Sequence, residues 1–141
     1  MREELTRHCD AIEECYEFML AYAAQGLTGD AAGASGGRLR DFLTRAADAL
    51  SGLADRAAAV VKQEQLEPAE RYEAFLAVLD RDARDALAAM HLVLAQPAIS
   101  SQLVDNLNAS IHLRALLTDL FLLDEILKGR PATARPARDR G

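Results

Sequence analysis

Both cysteines of the chain, Cys9 and Cys15, fall in one fifteen-residue run, HCDAIEECYEFMLAY, from position 8 to 22. His8, Tyr16, Met19 and Tyr22 share that run, with the acids Glu13, Glu14 and Glu17 among them. Thiol, imidazole and thioether are soft ligands suited to copper(I) or zinc. A thiol beside an imidazole is also the arrangement that lowers a cysteine pKa for redox or nucleophilic work. On a helical wheel His8, Cys9, Cys15, Tyr16 and Met19 turn to one side and Glu13 sits at the flank. These six residues are the candidate ligand or redox site.

The same stripe reads as one wall of an apolar core, because free Cys and Met are ordinary core fillers. One helix alone cannot close a tetrahedral metal site, and no CxxC or HxxxH pair supplies chelating spacing. The Glu-x-x-His pairs of di-iron helical proteins are missing, as is the haem-attachment sequence CxxCH. His112, in SIHLRALL, lacks the neighbouring glycine through which a phosphoryl-transfer partner would approach. Nucleophile elbows, phosphate-binding glycine loops and zinc-protease histidine pairs are not found. Packing is therefore the favoured account of the cluster, and no metal or cofactor is expected.

Four helices are expected to position these groups. Ala and Leu dominate the apolar half of the chain, and only seven residues are aromatic, a composition that favours helix over strand. Apolar spacings of three and four predict helices over residues 3–25, 38–63, 68–95 and 100–128. Gly26 lies just past the first helix, and Ser100 or Ser101 can cap the last. The segment 26–37 carries five of the eight glycines and reads as a flexible loop, since glycine loses most backbone entropy on ordering. Residues 1–128 then form one antiparallel four-helix bundle, followed by a disordered basic tail over 129–141.

The last helix has a different pattern. Between Leu113 and Leu127 large apolar residues wrap the whole wheel, which calls for burial on more than one side. In a four-helix monomer the second side is expected to meet another subunit, and a two-fold homodimer is the commonest solution. Leu113, Leu116, Leu120, Leu123 and Leu127 are the interface candidates. Asn106, Ser110 and Arg114 recur at spacings of four as a polar strip, and Asp82 on the preceding helix is expected to pair with Arg114.

The chain of 141 residues carries a net charge of −6, with five cations and one anion in its last fourteen residues. An acidic body lacks the clustered positive face that phosphate binding needs, so a nucleic-acid partner is not expected. The charged start MREELTRHCD lacks the apolar stretch of a signal peptide, and no run is long enough to span a membrane. The sequence is thus read as a cytoplasmic, non-enzymatic interaction or regulatory protein acting as a homodimer, with another protein as an alternative partner. The competing reading is a small-molecule, metal or redox-sensing protein that uses the helix 1 stripe.

Overall fold

Six helices account for the structure, a computed structural model that describes residues 1–29 and 34–130. They are α1 (Arg2–Ala24), α2 (Ala34–Leu50), α3 (Leu53–Gln63), α4 (Ala69–Leu94), α5 (Ser101–Ala109) and α6 (Ile111–Lys128). The chain is all-α, and no strand occurs among the described residues. The basic residues 131–141, like 30–33 of the expected loop, lie outside the described residues.

The first and third expected helices correspond to α1 and α4, each within a residue or two at either end. Helix α1 ends where the sequence suggested, with Gly26 at φ +69°, a left-handed position that glycine adopts without steric cost. The other two expected helices are each broken, which turns four into six. Between α2 and α3 the chain passes through Gly52 at φ +76°. Arg56 folds back there, its Nη1 donating to Ser51 O at 2.8 Å, so one carbonyl at the end of α2 is satisfied. Between α5 and α6, Ser110 is extended (φ −64°, ψ 142°) and its hydroxyl accepts from Leu113 N at 3.2 Å. Ser100 caps α5 in the same way, from Leu103 N at 3.1 Å. Helix α2 also begins at Ala34, inside the segment expected to be loop.

Helix α1 packs against α2, α3 and α5, while α4 packs against α2, α3, α5 and α6. All six helices contribute to one core, whose largest sealed side chains include Tyr22, Ile12, Met19, Leu39, Leu79, Met90 and Leu116. Leu87, Leu94 and Tyr72 pack at its margin.

Side chains that reach past their own helix tie the ends together. Tyr22 Oη donates to Ile99 O at 2.8 Å, and Ser101 Oγ donates to Tyr22 O at 2.6 Å while accepting from Leu27 N at 2.8 Å. These bonds join the end of α1 to the start of α5. At the opposite pole Arg2 pairs with Glu64, just past α3, and its Nη1 and Nη2 donate to Leu127 O at 3.1 Å and Arg130 O at 2.7 Å. Arg40 on α2 donates to Leu94 O (3.1 Å) and Gln96 O (2.9 Å), so it satisfies carbonyls at the end of α4.

Candidate functional site

The helix 1 cluster is divided among three neighbours. Cys9 is half-buried and faces α6, lining a cleft of about 90 Å³ with Leu5, Glu13, Leu120, Leu123 and Asp124. Burial, followed by the negative charges of Glu13, Asp124 and Asp10, pushes its thiol up to about 12. Cys15 is fully buried. Burial raises its thiol to about 12 as well, against a weaker opposing pull from Arg45 on α2. His8 is half-buried. Its pKa is lowered first by desolvation and then by Arg56 of α3, with Glu4 opposing. Glu13 is raised by burial and by the neighbouring Asp10, Asp124 and Glu17.

Two thiols held protonated make poor nucleophiles and poor metal ligands, since both roles need the thiolate. Among the described residues no group of three or more His, Cys, Asp or Glu side chains is placed to hold a metal ion. Met19 is sealed in the core and Tyr16 is only half-buried, whereas Tyr22, outside the six candidates, is fully buried. The buried stripe of α1 is thus Leu5, Ile12, Cys15, Met19 and Tyr22.

Helix α6 departs from expectation in two ways. Leu113, Leu116, Leu120 and Leu123 are buried within the single chain and Leu127 is half-buried. They fill the chain's own core and are not on its surface, because α4, α5 and the flank of α1 cover α6 from more than one direction. Its exposed apolar residues are Ile111 (74%), Phe121 (56%), Leu122 (49%) and Ile126 (44%). By winding, Ile111, Ala115, Leu122 and Ile126 lie within a 60° arc, opposite Leu120.

The polar strip is also divided. Ser110 is the cap between two helices, so Asn106 and Arg114 do not share one helix face. Asn106 and Arg114 are exposed, and Asn106 Oδ1 accepts from Gln102 Nε2 at 3.2 Å. The buried polar side chains of this region are instead Asn108 and Asp119, 6% and 7% exposed. Both amide atoms of Asn108 and Oδ2 of Asp119 find no partner among the described residues.

Asp82 faces Asp119 across the α4–α6 seam, in place of the expected Arg114. Burial first, then the hydrogen bond and charge of Asp82, push Asp119 up to about 7. Asp119 also borders a shallow surface cleft with Ile111, Arg114, Ala115 and Thr118. The sequence carried a signal for it: a single acid inside the run LLTDLFLL, one turn from leucines on both sides.

A second surface groove, of about 860 Å³, runs between α3 and α4 over Val61, Leu66 and Leu76, with Lys62, Glu67 and Glu73 at its rim. Between α1 and α2, Phe18 and Phe42 stack with centroids 4.7 Å apart, covered by the guanidinium groups of Arg38 and Arg45. No helix among the described residues is long and apolar enough to cross a membrane. Comparison with protein-family models, curated proteins and solved structures finds no match to this chain.

Proposed function

We propose that the chain is a non-enzymatic interaction or regulatory protein, an antiparallel helical bundle that works as a homodimer. The observation that carries this reading is the uncovered apolar row Ile111, Leu122 and Ile126 on α6, with Phe121 beside it. Single exposed apolar residues are normal, but an aligned row on one helix is the pattern of an association surface. A two-fold axis beside α6 would lay the row of one copy along that of the other. The expected interface therefore moves from the buried leucines to the opposite side of the same helix.

Light scattering behind size exclusion tests this directly, on the wild type and on a Leu122→Glu/Ile126→Glu variant. Both positions are exposed, so the variant keeps the helical signal of the fold. A dimer that becomes a monomer in the variant is the expected result. A wild type that stays monomeric at every attainable concentration overturns the reading. The redox or ligand alternative has less behind it, because its thiols are protonated and its side chains face three different helices.

A further inference from the structure

The α4–α6 seam places two acids against each other, with no cation between them among the described residues. Asp119 is more than nine-tenths buried, and its Oδ2 has no donor among the described residues. The group its carboxyl meets is another carboxyl, that of Asp82. Two ionised carboxylates have only acceptors and cannot hydrogen-bond, whereas one proton between them turns one into a donor. Burial comes first and the hydrogen bond and charge of Asp82 second, so Asp119 keeps a proton that an exposed aspartate would lose.

We propose that Asp82 and Asp119 form a proton-sharing latch that fastens α6 to α4 and loosens when the proton leaves. This goes beyond self-association and holds for a single chain. Among the described residues the surrounding charges leave the latch uncompensated. On α6, Arg114 shares the cleft with Asp119 but lies on the solvent side and is exposed. On α4, Arg84 is committed to Asp80 at 2.9 Å. Helix α5 brings Ala109 to the cleft, without charge. From α3, Asp55 acts on Arg84, and from α2, Arg40 is bound to the carbonyls ending α4.

The sign follows from the direction of the shift. Asp119 holds its proton more tightly folded than unfolded, so the folded state binds more protons across the window from about 4 to about 7. The latch contribution is complete at the acid end of that window and is lost as pH rises through the folded value. One proton gives at most about a tenfold change in the folding constant per pH unit.

The test is urea unfolding across this window for wild type and Asp119→Asn, with a carboxyl-carbon NMR titration of the wild type. The amide in the variant donates permanently to Asp82, so the latch stays closed at every pH. The expected results are a wild type that loses stability on going from about pH 5 to about pH 8 and a variant with a flatter profile. The NMR titration should find a side-chain carboxyl that titrates near neutrality. Should Asp119→Asn fail to fold, Asp82→Asn gives the same comparison. Parallel pH profiles, or no carboxyl titrating above about pH 5, overturn the proposal.

Discussion

Replacing Gly52 by alanine distinguishes a broken helix from a continuous one by the sign of its effect. If α2 and α3 were one helix, as their apolar spacing suggests, Gly52→Ala would raise stability by about 1 kcal/mol through helix propensity. At φ +76° the same change places a Cβ where L residues pay about 1–2 kcal/mol. The new Cβ would also stand 3.0 Å from Arg56 Nη1, the group that donates to Ser51 O. That guanidinium can swing away, at the loss of an exposed hydrogen bond worth about 0.5–1 kcal/mol. Restricting the unfolded chain returns about 0.4–1 kcal/mol. The net expectation is a loss of about 1–2 kcal/mol, which for a chain of this size lowers Tm by roughly 3–6 °C. Urea and thermal unfolding followed by circular dichroism read it directly. Gly52→Asn should lose less, because asparagine tolerates the left-handed region. A Gly52→Ala protein more stable than wild type would refute the break and the six-helix description with it.

Other substitutions probe the remaining joints. Ser110→Ala should cost about 1 kcal/mol in urea unfolding as the cap of α6 is lost, an effect absent if α5 and α6 were continuous. Asn108→Leu should stabilise the protein by about 1–3 kcal/mol, since it removes a buried amide with no partner among the described residues; destabilisation would show that the amide has a role. Arg2→Met should lower stability clearly more than Arg84→Met, which breaks an exposed i,i+4 pair worth about 0.3–0.5 kcal/mol; equal losses would contradict the pole contact. Both thiols should react slowly with a disulfide reagent in the folded protein and rapidly in urea. Labelling of Cys9 should still be rising above about pH 9, because its thiol ionises near 12; a fast neutral-pH reaction would restore the redox reading.

The helical class, α1 and α4 could be read from residue spacing because each has a single apolar stripe and a clear stop. The break at Gly52 escaped that reading because Leu50 and Leu53 preserve a helical spacing of three across the turn. Only the dipeptide Ser51-Gly52, a local turn signal, marked it. Ser110 was ambiguous in a different way, since a serine at a helical spacing looks the same whether it lies on a helix face or caps a new helix. Assigning the leucines of α6 to a partner presumes that each helix touches the core from one side. In six shorter helices an inner helix is covered from several, so those leucines are core.

For the candidate site, periodicity placed Cys15 and Met19 inward correctly but gave no view of which neighbour each side chain would meet. The Asp82–Asp119 contact depends on the register of α6 against α4, which the false continuity through Ser110 concealed.

Arg2 has a consequence for handling the molecule. Because its guanidinium touches the carbonyl of Arg130, the start of α1 and the end of α6 lie within the reach of one side chain. A label placed at Glu3 and another at Arg130 would occupy the same pole, close enough for efficient energy transfer. Joining these two points by a short linker and reopening the chain at Gly52 would reorder the helices in sequence while leaving their packing in space alone. The opposite pole, where Tyr22 and Ser101 meet, would remain uncovered in every such derivative.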